Sequence, residues 1–412
     1  MPKRFQIPIL SVLIIFASLT LAISSVSREK REELFRQVEL FADTLAVIQA
    51  DYVDEVKPKD LIYGALRGML ASLDPHSQFM DPDTYNELKV DTEGKFGGLG
   101  IEITIKDGVL TVITPIEDTP AWKAGLKPGD RIIKINNELS RDMTLSEAVK
   151  RMRGRPGEVV AISVLRESDK KILEFKITRD IIKIKDIKEA KILESGIAYI
   201  RLSEFRENTS NNLNQQLKRL SRLGMRSFIL DLRNNPGGLL ESAVEVTEKF
   251  IPSGEKIVYT KGRKSAQNTD YFASLKDPIL DLPMVVLINE GSASGSEIVA
   301  GCLQDYKRAT IIGEKSFGKG SVQTVIPLVD GSALRLTTAK YYTPKGKEIH
   351  GKGVIPNIIV IEPKKPITDL SLDILPLKKP LNYKEDIQIM RAVNFLKNPK
   401  KESQDNEKKP KL

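Results

Sequence analysis

Met284-Val285-Val286-Leu287-Ile288 runs without a polar residue into Asn289-Glu290-Gly291-Ser292-Ala293-Ser294-Gly295-Ser296-Glu297, a stretch made almost entirely of small residues. A short apolar run bounded by a turn signal reads as a strand buried on both faces, and the residues after it, Glu297 to Gln304, read as a helix. The same pattern occurs upstream. Phe228-Ile229-Leu230-Asp231-Leu232 is followed by a glycine-containing turn and a helical stretch from Leu240 to Phe250, and Ala309 to Ile312 gives a further strand. Strand-helix alternation from Ile181 to about Pro363 predicts a layered α/β sheet with right-handed crossovers.

The texture before Ile181 is different. Gly97-Gly98-Leu99-Gly100 leads into an alternating strand, Ile101 to Ile105. Strands are expected at Val109–Ile113, Arg131–Ile135, Val159–Arg166 and Leu173–Thr178, with a helix over Thr144–Met152 and a turn-rich connection at Ala124–Asp130. Several short strands and one helix describe a compact, mostly β module. Further upstream, Leu34, Val38, Phe41, Leu45 and Ile48 repeat at helical spacing, as do Leu61, Ala65 and Met69. They predict a small helical segment ending near Asp83, its apolar stripes read as packing surface, including between subunits.

At 412 residues the chain is too long for one ordinary core. Its net charge is +9, and about half of that excess lies from Lys364 onward, where twelve Lys and Arg face seven Asp and Glu. No basic stretch carries the interleaved aromatics of a single-strand binder, so a solvated tail, disordered from Pro399, is expected rather than a nucleic-acid site. Cys302 is the one cysteine, which excludes a disulfide framework and any multi-cysteine metal site. An uncharged run from Ile7 to Val26, preceded by Lys3 and Arg4, is long enough to cross a bilayer and equally suits a signal peptide. Arg28, Lys30 and Arg31 follow it closely, so charge does not orient it. Either way the remainder is expected to be exported.

Only His76 and His350 are available to a histidine mechanism. Both lie in turn or loop sequence, and no Gly-x-Ser-x-Gly elbow exists to place a serine beside them. Three serines crowd the start of the helix after Ile288. Backbone N–H groups there lack intrahelical partners, which makes an oxyanion-binding environment. The same residues suit an N-cap, with Glu297 completing a capping box. Downstream, Gly313-Glu314-Lys315-Ser316-Phe317-Gly318-Lys319-Gly320-Ser321-Val322-Gln323 sets a lysine between two glycines, which lets the backbone approach another segment closely. A phosphate-binding loop fails on spacing. Ser316 to Lys319 fits Ser-x-x-Lys, but so does Ser168 to Lys171, and the flanking glycines argue against the helix that this spacing needs.

Four motifs together carry a resemblance: Ser-Leu-Asp-Pro-His-Ser at 72–77, Asp-Leu-Arg-Asn-Asn-Pro-Gly-Gly at 231–238, Gly-Ser-Ala-Ser-Gly-Ser-Glu-Ile at 291–298, and Gly-Glu-Lys-Ser-Phe-Gly-Lys-Gly-Ser-Val-Gln at 313–323. In this order the chain, from roughly Leu61 to Ile359, resembles the C-terminal processing peptidases, or tail-specific proteases. The resemblance implies a crotonase-like α/β protease core with an inserted PDZ domain and an N-terminal helical segment. It implies a serine endopeptidase with Ser294 as nucleophile, Lys319 as base, Gln323 supporting the lysine, and the N–H groups of Gly238 and Gly295 as oxyanion hole. Gly295 departs from the alanine common there but keeps the N–H. No cofactor is implied. Boundaries follow: a signal peptide or anchor over 1–30, helical segment 31–92, PDZ domain 93–180, protease core 181–363, and a C-terminal helix with basic tail over 364–412.

Protonation chemistry is consistent with that assignment. A free lysine near pKa 10.4 cannot accept a serine proton at pH 7, and lowering it by three units needs roughly 4 kcal/mol of differential stabilisation, which burial supplies. Ser294 would then form an acyl-enzyme that water releases. In the module, Gly97, Gly98, Leu99, Gly100 and Ile101 match a PDZ carboxylate loop, whose N–H groups would hold a free, apolar C-terminal tail beside Ile101–Ile105. The expected partners are therefore protein substrates, a second copy through the terminal helices, and the membrane if the N-terminal run is retained. The expected location is periplasmic or otherwise extracytoplasmic. The same fold also suits a proteolytically inactive PDZ scaffold or chaperone, and the α/β core alone suits an acyl-CoA enzyme.

Overall fold

The computed structural model describes residues 32–141, 143–167, 170–363 and 382–398, so the apolar run at 7–26 and the tail from Pro399 lie outside the described residues. The chain divides into two compact units, at Asp81 and Pro82. The first contains helix α1 (32–51), helix α2 (Pro58–Ala71) and strand β1 (Gln78–Met80). Pro58 pre-sets the backbone at the start of α2, which buries Tyr63 and Leu70. The Tyr63 ring meets Phe79 edge-on at 4.7 Å. The Asp74 carboxylate accepts the N–H groups of His76 and Ser77 and the Ser77 hydroxyl, which closes the predicted turn.

The second unit opens with α3 (Pro82–Glu93) and β2 (Lys95–Gly98). The module follows as β3 (Ile101–Lys106), β4 (Val109–Pro115), α4 (Pro120–Ala124), β5 (Arg131–Ile135), β6 (Glu138–Leu139), α5 (Leu145–Met152), β7 (Val159–Arg166) and β8 (Lys171–Thr178). Its antiparallel sheet runs β3-β4-β5-β7-β8, with β6 paired to β5. Along β7 every second residue is buried, the period expected of a strand with one face on a core. Leu110, Ile132, Ile135, Ala148, Val160, Ile162 and Val164 form that core. Thr144 caps α5 with Glu147 in a reciprocal capping box. Buried Asp130 is neutralised by a bidentate pair with Arg166, at 2.8 and 2.7 Å. The chain leaves through β9 (Asp180–Lys183), which pairs antiparallel with β2, Gly98 opposite Asp180 and Lys95 opposite Lys183. Entry and exit thus form one two-stranded neck.

The core then runs β10 (Ile187–Ile192), β11 (Ile197–Leu202), α6 (Thr209–Arg222), β12 (Ser227–Asp231), α7 (Leu240–Thr247), β13 (Lys256–Gly262), β14 (Asp270–Phe272), β15 (Met284–Ile288), α8 (Gly295–Asp305), β16 (Thr310–Gly313), β17 (Ser321–Pro327), β18 (Ala333–Tyr342), β19 (Ile358–Ile359) and α9 (Ile387–Lys397). Its main sheet is ordered β10-β11-β12-β15-β16-β19, parallel throughout except for β10. Alternation decides which residue faces which layer. Met284, Val286 and Ile288 join Leu213, Leu217, Ala243 and Val299 on the side of α6, α7 and α8. Val285 and Leu287 join Ile389, Ala392 and Val393 on the side of α9. All five residues of β15 are buried, as the unbroken apolar run predicts. Antiparallel pairs β13–β14, β13–β18 and β17–β18 make a second sheet. The C-terminal helix is held by Arg233, whose guanidinium reaches Asp231, Glu362, Asp386 and Gln388. Burial works against that charge, but Asp231 and Asp386 hold it protonated.

Candidate active site

Strand β15 ends at Ile288 and α8 starts at Gly295, so Ser294 is the residue that caps the helix. Its backbone takes φ 53° and ψ −113°, which residues with a Cβ avoid, lying outside even the left-handed helical region. The neighbouring serines are spent on structure. Ser292, fully buried, donates to the Leu232 carbonyl at 2.8 Å and accepts from the Asn289 N–H. Ser296, equally buried, donates to the Asn235 carbonyl at 2.9 Å. Ser294 is half-buried, and its side chain hydrogen-bonds the phenol of Tyr341.

The turn after β12 is fastened to this helix start. Fully buried Asn235 donates from Nδ2 to the Leu202 carbonyl at 3.0 Å and accepts the Gly237 N–H on Oδ1 at 2.9 Å. Its own carbonyl accepts the Ala293 N–H at 3.0 Å. Gly237 and Gly238 take φ of 105° and 137°. A Cβ on Gly237 would stand 2.6 Å from that of Ser294, and one on Gly238 2.1 Å from the Phe205 carbonyl, so both positions require glycine on two counts. Among the described residues no acceptor is found for the N–H of Gly238 or of Gly295. Position 295 is close-packed: a Cβ there would lie 3.0 Å from the Phe205 ring and 3.2 Å from the Ala243 Cβ.

A third segment, 314–320, brings in Lys319. The Glu297 carboxylate, fully buried on the first turn of α8, holds it. One oxygen accepts the N–H of both Ser294 and Lys319 at 2.9 Å. The other accepts the Ser316 hydroxyl at 2.5 Å and the Gly318 N–H at 2.7 Å. Burial pushes this carboxyl up, and the four donors pull it down less strongly. The Tyr341 hydroxyl donates to the Lys319 carbonyl, so this phenol also joins the two residues. On the far side the Gly318 carbonyl accepts the Gly351 N–H, and the His350 backbone packs against Gly320. Half-buried Lys319 is held below the ordinary lysine value, by burial first and then by the Arg335 cation, while Glu297 pulls the other way.

Ser294, Gly295, Gly238 and Lys319 are therefore gathered around one helix start. Gln323 lies on β17, its amide nitrogen donating to Ser321 at 2.9 Å and to Thr337 at 3.4 Å. The other predicted residues belong to the module. Gly97 and Gly98 are the end of β2 rather than loop, Leu99 and Gly100 turn the chain, and Ile101 starts β3 at the sheet edge. Arg153, the residue after α5, stacks over Phe96 at 4.6 Å, beside Gly98. Glu297 had signalled only a cap, Asn235 stood in a motif without a role of its own, and Arg335 and Tyr341 gave no signal, because the groups on other segments that these last three meet are 16 to 61 positions away in sequence. Among the described residues no cluster of His, Cys, Asp and Glu is arranged to hold a metal ion. Cys302 is buried and its thiol is pushed well up.

Acyl transfer to water is the chemistry such a serine serves, and the core and module together define a serine-type peptidase that carries a PDZ domain. Comparison with known proteins names the family. The model of peptidase family S41 matches residues 196–360, that of the PDZ domain 111–166, and that of the N-terminal domain of the activating protease CtpB 17–84. The chain is 45% identical over 351 residues to the carboxy-terminal-processing protease of Bartonella bacilliformis, covering 84% of this chain and 80% of that one. It is 36% identical over 359 residues to the carboxy-terminal processing protease CtpB of Bacillus subtilis, covering 85% and 74%. In fold it is similar to a putative S41 protease from Bacteroides fragilis, with TM-score 0.50, 18% identity, and 85% and 92% of the two chains covered. The chain belongs to peptidase family S41, among its carboxy-terminal-processing serine peptidases.

Proposed function

We propose that the chain is an endopeptidase working through a Ser294–Lys319 dyad on exported proteins chosen by their free, apolar C-terminal tails. The observation that carries this reading is the inequality of the three serines. Ser292 and Ser296 are buried with their hydroxyls on backbone carbonyls, whereas Ser294 is half-exposed, strained, and joined to Lys319 through Glu297 and Tyr341. The neutral Lys319 amine takes the Ser294 proton as Oγ attacks the scissile carbonyl. The N–H groups of Gly238 and Gly295 stabilise the oxyanion. The lysine then protonates the leaving amine, and water, activated by the same amine, releases the acyl-enzyme. Gln323 supports the lysine from β17.

Tail capture falls to the PDZ domain. The open edge of β3 and the facing helix α5 support addition of the tail as a strand, its carboxylate on the N–H groups of Leu99, Gly100 and Ile101, which follow the paired end of β2. The neck of β2 and β9 supports domain limits of 93 and 180, with a crotonase-like core over 181–363. Export rests on the apolar run at 7–26, as anchor or signal, since among the described residues no helix is long and apolar enough to cross a membrane. The exposed Leu34, Phe35 and Val38 of α1 support self-association through the terminal helices.

Hydrolysis of a quenched peptide ending in a free apolar carboxylate tests both parts. Ser294→Ala should abolish cleavage while Ser292→Ala and Ser296→Ala, where folded, retain it. The C-terminally amidated twin should be a poor substrate for the wild-type enzyme. Activity in Ser294→Ala removes the nucleophile, and equal cleavage of the twins removes tail capture.

A further inference from the structure

We propose that Glu297 is the positioning residue of the dyad: one buried carboxylate fixes nucleophile and base against each other by binding the backbone N–H of both. This deepens the peptidase reading and rests on the dyad proposed above. An N-cap partner need only reach back to Ser294. Glu297 does that with half the capacity of one oxygen and spends the rest on the segment that delivers the lysine, through Lys319, Gly318 and Ser316. The clamp extends further, since Ser316 Oγ also accepts the Val354 N–H at 2.6 Å. Ser294 and Lys319 stand on different elements, α8 and the loop before β17. Backbone bonds from Glu314 to the Ile288 carbonyl and from Phe317 to the Ser292 carbonyl bring the two segments side by side. The shared carboxylate alone binds the backbone N–H of both residues and so sets their spacing. Its charge also faces Lys319, together with Arg335 and Tyr341 of β18 and the His350 loop packed on Gly320.

Two substitutions in the full chain separate this role from capping. Glu297→Gln keeps the shape but turns an NH2 toward two N–H donors. Glu297→Asp keeps charge and cap but is a methylene too short for the loop. Misplacement of a reacting group by about 1 Å costs on the order of a hundredfold, so both variants should lose about that in kcat with KM and tail-peptide binding unchanged. In Glu297→Gln the acid limb of the kcat/KM–pH profile should also move to lower pH, because the carboxylate that favours the lysine's charge is gone; a structural defect alone would leave the limb in place. Near-wild-type kcat in Glu297→Asp reduces the residue to a cap and overturns the proposal. So does failure of both variants to fold, or an unmoved limb in Glu297→Gln. Lys319→Ala run alongside tells the two readings apart: if it stays active, the dyad falls and the positioning role with it, whereas an inactive Lys319→Ala beside a fully active Glu297→Gln sinks the positioning role alone.

Discussion

Replacing Asn235 by alanine tests whether the turn after β12 is held in working shape from within. The side chain makes two bonds in the fully buried interior, to the Leu202 carbonyl at 3.0 Å and from the Gly237 N–H at 2.9 Å. Alanine keeps the backbone bonds from Ala293 and Ser296 but strips both of these. Each buried group left short of a partner costs about 1–3 kcal/mol, so the loss should be about 2–6 kcal/mol, a large part of the roughly 5–15 kcal/mol that holds a domain together. Urea unfolding followed by circular dichroism should show a lowered midpoint with unchanged slope. Kinetically, freeing Gly237 lets the Gly238 N–H drift from its aim. Losing one oxyanion donor costs about a hundred- to a thousandfold in kcat, so kcat should fall by up to that amount at a temperature where the variant is folded, with KM unchanged. A folded, destabilised Asn235→Ala enzyme with wild-type kcat would refute the reasoning, since the turn would then hold its shape without the clamp.

Lys319→Arg should be as inactive as Lys319→Ala, because a guanidinium stays protonated at every working pH; substantial activity in it would remove the base. In the wild type, kcat/KM should rise with pH through the lowered pKa of Lys319, since the proposed dyad needs the neutral amine, and Arg335→Met should shift that rise to higher pH by removing a repelling cation. A flat profile between about pH 6 and 9 would contradict both. Arg233→Met should cost about 3–5 kcal/mol, because the fully buried Asp231 carboxyl loses its ion-pair partner, and hydrogen exchange over Ile387–Lys397 should accelerate; an unchanged exchange rate would mean that apolar packing alone holds α9. His76→Ala with His350→Ala should keep most activity where folded, although His350 lies against Gly320; a loss of a thousandfold or more would restore a histidine mechanism.

Much of the fold was legible because its strands carry their own signal. Arg131–Ile135, Val159–Arg166 and Met284–Ile288 fall where alternation or unbroken apolarity put them. Helix α3 was not separated from the segment before it, and the reason is physical: none of its residues is buried, so no apolar period marks it. The end of β2 read as loop because Gly97 and Gly98 have no strand propensity of their own; they are extended by pairing with Ile181 and Asp180, more than 80 positions on. Ser294 and Lys319 were singled out through motifs, and the structure sets both at the start of α8. What keeps them together could not be, because a buried carboxylate three residues into a helix has a local explanation, and nothing in the sequence says that its four donors come from two segments.

The strain at Ser294 and the polar clamps around it explain one another. A non-glycine residue at φ 53° and ψ −113° persists only where its surroundings over-determine it. Here the turn before Ser294 is pinned by Asn235, which accepts the Ala293 N–H, and by Ser296, which donates back to the same carbonyl. The residue itself is pinned by Glu297 on its N–H and crowded by Gly237, where any Cβ would collide with its own. Each restraint is a buried hydrogen bond or a hard contact, so relaxing the serine would strand a polar group or force two atoms together. The serine cannot relax without disturbing the lysine as well, because the carboxylate that holds the one N–H holds the other. Two loops from different strands are thus referred to a single helix end. The first turn of α8, which the sequence marks only as a run of small residues, is the fixed point from which the spacing of the site is set.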